Sequence, residues 1–112
     1  MAVHTSKITV QVTLDENKVP EKINWNAPGG GATNQAAKAL LLSVWDPKKK
    51  ETLRIDLWTK DMPLEEMKVF FYQTLTAMTA TYKRATNDER MAATMKDFTD
   101  YFAEKSGLGG KL

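Results

Sequence analysis

Residues 40–63, which read LLLSVWDPKKKETLRIDLWTKDMP, predict a β-hairpin that leads into a helix. In the second half, Leu53, Ile55 and Leu57 alternate with polar residues, which is the period of a strand with one buried face. The first half is apolar on both faces, a pattern typical of a strand with neighbours on either side. An Asp-Pro pair between the two halves favours a turn. The other predicted elements are arranged around this hairpin.

The remaining hydrophobic pattern predicts an antiparallel sheet of three to four strands. The clearest strand outside the hairpin covers residues 6–14, where apolar and polar side chains alternate. The hairpin contributes strands at about 40–46 and 52–59, and a short strand at 22–26 is the candidate fourth member. One apolar and one wet face are typical of an antiparallel sheet that is covered on one side.

Two amphipathic helices, at about 63–85 and 87–105, are expected to form that cover. Pro63 fits the first helical position, because its missing N–H would have no partner there. On one continuous helix the two apolar stripes would lie roughly 150° apart, so an αα-hairpin that breaks near Thr86 is the better interpretation. The predicted fold class is α+β, with the C-terminal helical hairpin covering one face of the sheet.

A chain of 112 residues fits a single domain. Three segments are expected to be flexible: the N-terminus at 1–5, a Gly-rich loop at 27–34 and a C-terminal tail at 107–112. The three consecutive glycines do not match a phosphate-binding loop, because no Gly-Lys-Ser/Thr follows them. Residues 34–39 stay open between a helical turn, which their propensity favours, and a strand.

The composition argues against catalysis and against metal binding. There is no cysteine, and the single histidine, His4, lies near the N-terminus, so neither a catalytic triad nor a zinc site is present in the sequence. The carboxylate pairs Glu65–Glu66 and Asp97–Asp100 fall on predicted solvated helix faces, where an acid–base role is the weaker interpretation. We therefore expect no catalytic residue, no metal, no cofactor and no enzyme.

Charge and hydropathy narrow the expected partners and location. The net charge is only +2, from 16 basic and 14 acidic side chains, which is too small a bias to indicate nucleic-acid binding. No run of about 18 apolar residues predicts a membrane span. The N-terminus does not resemble a signal peptide, so a cytoplasmic location is expected.

The hairpin carries most of the candidate partner-contact residues, which are Arg54, Asp56, Trp58 and, outside it, Trp25. Strand parity turns the first three outward and turns Leu53, Ile55 and Leu57 toward the helices. Arg54 and Asp56 share a face and suggest an ion pair. Trp58 either anchors a partner or a second protomer, or is covered by the loop that holds Trp25.

The methionines leave a second pair of alternatives open. Four of them fall on the predicted helical stripes, at Met67, Met78, Met91 and Met95. Core packing is the favoured interpretation, and a soft surface that binds protein clients is the alternative.

Several segments together resemble the GldC family of gliding-motility-associated proteins from Bacteroidetes. They are LDENKVPEKINW (14–25), LLSVWDPKKKETLRIDLWTKDMPLEEMK (41–68), FFYQTL (70–75), YKRAT (82–86) and DFTDYFAEK (97–105). The resemblance covers about residues 5–106. It implies a non-enzymatic accessory protein of the gliding machinery, with no catalytic residue or cofactor.

The resemblance also implies a protein partner, with the gliding-motility lipoprotein GldB as the candidate and a homo-oligomer as a further option. Peripheral attachment to the inner membrane is the alternative to a free cytoplasmic location. Strands followed by two helices are also similar to the layout of SecB-type export chaperones. A chaperone or binding module for exported or envelope proteins is therefore the alternative function, although it rests on architecture alone.

Overall fold

The computed structural model describes residues 3–109, which form five strands, one 3-10 turn and two helices. The chain divides into two compact units, Met1–Met62 and Pro63–Leu112. The first unit contains the strands, and the second contains the helices. The predicted α+β class is confirmed, with all strand pairs antiparallel.

Three strands of the first unit form one sheet in the order β1-β2-β3. Their bounds are Thr9–Leu14 for β1, Pro20–Ala27 for β2 and Ala32–Ala37 for β3. A row of apolar side chains crosses this sheet, because Val12 lies opposite Ile23 and Ile23 lies opposite Ala37. Ile23 is only 1% exposed and is the best-buried large side chain of the unit. The strand predicted at 22–26 is therefore central to the sheet.

The predicted hairpin is present as a separate two-stranded sheet. Its strands are β4, Ala39–Asp46, and β5, Glu51–Trp58, within about one residue of the predicted bounds. The chain bends at Lys38, which separates β3 from β4 and ends the pairing of β3 with β2. β3 and β4 therefore follow one another in the chain but belong to different sheets, whereas the hydrophobic pattern predicts a single sheet.

The turn of the hairpin follows the chemistry of Asp46. Its side chain accepts hydrogen bonds from the backbone N–H groups of Lys48 (2.9 Å) and Lys49 (3.2 Å), and its carbonyl oxygen accepts one from Lys50 (2.8 Å). Lys50 has a positive φ of 54°, which closes the turn. Lys48, Lys49 and Lys50 form the exposed tip of the hairpin.

The Gly-rich segment is ordered by the sheet on either side of it. Pro28–Gly30 form a 3-10 turn that ends at Gly31, whose φ is 83°. A bulge in β2 frees the side chain of Asn26, which accepts a hydrogen bond from the backbone N–H of Asn34 at 2.7 Å. The connection between β2 and β3 is thus residues 28–31, and the other residues of the expected loop at 27–34 belong to the two strands.

Of the two alternatives left open for residues 34–39, the structure shows the strand. Residues 34–37 belong to β3, Lys38 forms the bend, and Ala39 begins β4. The alanines prefer a helix in isolation, but a segment this short gains more from pairing its backbone with β2. Tertiary pairing therefore decided the conformation of this segment.

The second unit is the predicted helical hairpin. Its helices are α1, Leu64–Thr86, and α2, Glu89–Lys105. The break lies at Asn87, whose φ of 58° is left-handed, one residue after the predicted position. The Asp88 side chain then begins α2 by accepting a hydrogen bond from the backbone N–H of Met91 at 3.0 Å.

A Schellman motif ends α2. The backbone N–H of Gly107 donates to the carbonyl oxygen of Glu104 (3.2 Å), and that of Leu108 donates to Ala103 (2.9 Å). Gly107 takes the left-handed conformation that this motif requires, with φ at 74°. Leu108 is fully buried, so the part of the expected tail at 107–108 belongs to the packed helical unit. Residues 110–112 lie outside the described residues.

Neither helix in the described part of the chain is both long enough and apolar enough to cross a membrane.

Candidate functional site

The register of the β4–β5 hairpin sorts its side chains onto two faces. Paired residues of an antiparallel ladder share a face, so each pair assigns both of its members. One side, which we name the aliphatic face, carries Leu40, Leu42, Val44, Leu53, Ile55 and Leu57. The other side, which we name the tryptophan face, carries Leu41, Trp45, Arg54, Asp56 and Trp58.

The tryptophan face places two exposed indoles at either end of a charged pair. Trp45 is 63% exposed near the turn, and Trp58 is 57% exposed at the base of the hairpin. Their positions are about 20 Å apart along the strands, at about 3.3 Å per residue. Between them, the guanidinium of Arg54 donates a hydrogen bond to the carboxylate of Asp56. The sequence prediction of this ion pair is confirmed.

The ion pair holds two side chains together at the centre of the tryptophan face, and both side chains stay in contact with solvent. The side chain of Arg54 is 59% exposed and that of Asp56 is 33% exposed. An exposed pair of this kind contributes little to stability, typically below about 1 kcal/mol. The pair instead holds the guanidinium group of Arg54 in one orientation between the two indoles. Arg and Trp side chains are among those that contribute most at protein-binding surfaces.

The structure separates Trp25 from the other three candidate contact residues. Trp25 lies on β2 in the three-stranded sheet, opposite Val10 on one neighbour and Gln35 on the other. It is half-buried and shares its face with Ile23, so packing accounts for it. Arg54, Asp56 and Trp58 are brought together on one hairpin face, and Trp25 belongs to another sheet.

Trp45 is a member of this face that the sequence-based prediction missed. It lies opposite Thr52, one pair before the turn, and diagonal to Arg54. The signal was available, because the Asp46-Pro47 turn sets the register and parity then places residue 45 with 54, 56 and 58. The general apolarity of β4 obscured that parity.

The aliphatic face is also exposed. Leu42, Val44, Leu53 and Ile55 are between 42% and 52% exposed. The expectation that Leu53, Ile55 and Leu57 meet the helices stays a prediction. Among them, Leu57 near the base is half-buried. An exposed apolar patch of this size is typical of an interaction surface.

Buried and charged groups hold the base of the hairpin to the three-stranded sheet. Thr59, only 2% exposed, donates its backbone N–H to the carbonyl oxygen of Lys38 at 2.8 Å. Its hydroxyl contacts the carboxylate of Asp61 at 2.6 Å, and this hydrogen bond lowers the pKa of Asp61, with Lys38 at 3.8 Å assisting. The next residue, Lys60, donates its backbone N–H to Pro20 at 3.0 Å.

A second charged contact reinforces this base. The Lys60 ammonium lies 3.1 Å from Asp15 and 3.5 Å from Glu21. The backbone N–H of Val19 and then the Lys60 ammonium lower the pKa of Asp15, and the hydrogen bond to Asp15 raises the pKa of Lys60. These contacts attach the residues that follow β5 to the three-stranded sheet and so fix the position of the base of the hairpin.

Within residues 3–109, no three His, Asp or Glu side chains cluster in a way that could hold a metal ion. Of the carboxylates considered in the sequence, Asp100 accepts a hydrogen bond from Lys96 at 2.8 Å, one helical turn away. This contact raises the pKa of Lys96, as expected for a surface pair.

A comparison with protein-family models gives one match. The model is described as "Gliding motility-associated protein GldC-like", and it matches residues 20–108. That range includes the whole β4–β5 hairpin and both helices. No curated protein and no solved structure matches the chain.

Proposed function

Because the chain belongs to the GldC-like family of gliding motility-associated proteins, we propose that it is a non-enzymatic accessory protein of the gliding machinery that binds a protein partner through the tryptophan face. The observation that carries the proposal is the pair of exposed indoles, Trp45 and Trp58, with the Arg54–Asp56 pair between them. Trp and Arg are the residue types that most often dominate binding energy at protein interfaces.

The proposed partner is the gliding-motility lipoprotein GldB, which the family resemblance implies. The test is to titrate purified GldB against the wild-type chain and against Trp58→Ala. We expect Trp58→Ala to bind at least about tenfold more weakly, because removing a hot-spot side chain costs about 2 kcal/mol or more. The variant should keep the folding of the wild type, since Trp58 is already 57% exposed.

The matched control for this titration is Ile55→Ser. Ile55 is 52% exposed on the same strand but belongs to the aliphatic face. Equal affinity of Trp58→Ala and wild type would contradict the tryptophan face as the contact surface. Absence of any binding by the wild type would contradict GldB as the direct partner.

The cytoplasmic location, with peripheral attachment to the inner membrane as the alternative, stays part of the proposal. Fractionation of the native cell, with detection of this chain in the cytoplasmic and membrane fractions, distinguishes the two.

A second candidate function is favoured by the aliphatic face. Four half-exposed aliphatic side chains on a two-stranded sheet form a surface to which an unfolded apolar segment could bind. This is the activity expected of a SecB-like chaperone or binding module for exported proteins. It uses the face opposite to Trp58, so substitutions on the two faces separate the two functions.

A further inference from the structure

An open apolar groove runs along one face of α1. Its volume is about 640 Å³, and its lining spans Phe70 to Ala85. The lining residues recur every three or four positions over four helical turns, so they form one straight stripe about 22 Å long. In the described part of the chain, no charged side chain lines this groove.

Within the described helical unit, α2 contributes no side chain to the lining of the groove. Met78 at its centre is 54% exposed, and α1 contains no buried residue, whereas α2 buries Ala92, Thr99 and Ala103. An uncovered apolar stripe of this length on one helix indicates a partner surface.

The sizes of the lining side chains identify the partner. An antiparallel copy of α1, related by a two-fold axis that passes between Ala77 and Met78, sets residues equally far from the axis opposite each other. Met78 of each copy then faces the small Ala77, and Phe70 faces the small Ala85. A large side chain therefore meets a small one at each of these positions.

The two remaining pairs of lining residues also match. Gln73 faces Tyr82, whose hydroxyl donates to Asp88 of its own chain at 3.4 Å, and Thr74 faces Thr81. The 3-and-4 spacing of the stripe is that of helices packed at about 20°, and the small residues allow the two backbones to approach closely. The groove is thus complementary to itself in this one register.

The charges at the ends of α1 favour the antiparallel direction. Its first turn is acidic, with Glu65 and Glu66, and its last turn is basic, with Lys83 and Arg84. In the register above, antiparallel pairing leaves the acidic turn of one helix roughly 8 to 10 Å along the axis from the basic turn of the other, so this attraction is weak. Antiparallel pairing also opposes the two helix dipoles. A parallel pair would bring like charges together.

We propose that the groove of α1 is a self-association site that binds α1 of a second copy of this chain in an antiparallel, two-fold symmetric pair. The site lies on the helical unit, so it is independent of the tryptophan face and of the proposed motility partner. It assigns the apolar stripe of α1, including Met78, to an interface between copies.

The first experiment measures the assembly state of the full chain by sedimentation. We expect the wild type to be a dimer or a larger even-numbered assembly. Ala77→Arg places two like charges beside the axis and should weaken association on the order of a hundredfold or more. The matched control is Thr76→Arg, because Thr76 is exposed on the opposite side of the same helix and should leave association unchanged.

A second experiment tests the register and does not depend on a disruptive variant. The chain has no cysteine, so single cysteines can be placed without background. Thr74→Cys mixed with Thr81→Cys should form a disulfide between chains, because these positions face each other. Either variant alone should not, since two copies of one position are offset by about 10 Å along the helices, which exceeds the reach of a disulfide.

A wild-type chain that stays monomeric across the concentrations tested would overturn the proposal. So would an assembly that Ala77→Arg and Thr76→Arg affect equally, or one in which each cysteine variant cross-links with itself as readily as with the other. Binding of a different protein in the groove of a monomeric chain would assign the site to that protein instead.

Discussion

Among single residues, Asp15 makes the contacts with the clearest electrostatic consequence. Its carboxylate accepts hydrogen bonds from the backbone N–H groups of Asn17 (2.8 Å) and Val19 (3.0 Å), and its other oxygen lies 3.1 Å from the Lys60 ammonium. One side chain thus closes the β1–β2 turn and ties it to the residue that follows the hairpin. Sequence reasoning identified the turn but could not identify Lys60, which is 45 residues away.

The lowered pKa of Asp15 makes the stability of the first unit depend on pH in the acid range. A folded-state pKa below the unfolded one contributes stability that is present above the unfolded value, about 4 for Asp, and is lost as the pH falls through the folded value. We expect Asp15→Asn to be less stable than wild type at neutral pH, with the difference shrinking in acid. Urea unfolding over a pH series measures this difference.

The control for this series is Glu16→Gln, which neutralises an exposed neighbouring carboxylate. It should follow the wild type throughout. A constant difference between Asp15→Asn and wild type from neutral pH into acid would contradict the electrostatic account, since it would mean that only the shape of the side chain matters.

At the level of elements, the helices were the most predictable part of the chain. The 3.6-residue period and the break near Thr86 locate α1 and α2 to within about two residues, because local hydrogen bonds define a helix. The strand at residues 32–37 was not predictable in the same way. Its backbone groups hydrogen-bond to β2, whereas the local propensity of its alanines favours a helix.

The end of α2 gives a prediction about an element boundary. Gly107→Ala should lower the free energy of unfolding by about 1 kcal/mol, because a Cβ is unfavourable in the left-handed conformation. A Cβ at Gly107 would meet no atom within 4 Å, so the cost is one of backbone conformation alone. Urea or thermal unfolding, followed by circular dichroism, measures it.

Gly109→Ala is the matched control for this change. A Cβ there also meets no atom within 4 Å, and Gly109 does not have a positive φ. Its unfolding free energy should therefore stay within about 0.5 kcal/mol of the wild type. Equal effects of the two substitutions would contradict a specific role of the Schellman motif.

For the molecule as a whole, the distribution of apolar surface is the feature that most concerns function. The described chain buries only two large side chains completely, Ile23 and Leu108, while many others are exposed on the hairpin and on α1. Binding of another protein or another copy to such surfaces would raise the stability of the folded chain. The helical methionines differ in exposure, since Met78 is exposed and Met95 is half-buried. Core packing and a surface that binds protein clients therefore both stay open as interpretations.

The chaperone-like alternative makes a prediction about this exposed surface. A denatured, unrelated apolar protein diluted from urea should aggregate less in the presence of the wild-type chain. The double variant Leu42→Ser, Ile55→Ser removes a directly opposed pair from the aliphatic face and should lose this effect. Light scattering during dilution is the measurement.

Trp58→Ala provides the reciprocal control, because it alters only the tryptophan face and should keep the suppression of aggregation. A wild-type chain that leaves the scattering unchanged would remove the chaperone alternative. Equal loss in both variants would show that the two hairpin faces do not act separately.

The amino-acid sequence by itself determined the α+β class, the β4–β5 hairpin with its Asp46 turn, both helices, and the outward pairing of Arg54 with Asp56. Each of these follows from interactions between residues close in the chain or from a regular period. Tertiary structure alone decided that residues 32–37 form a strand and that the bend at Lys38 divides the strands between two sheets. These outcomes depend on which distant backbone groups pair, and that is not encoded in local periodicity.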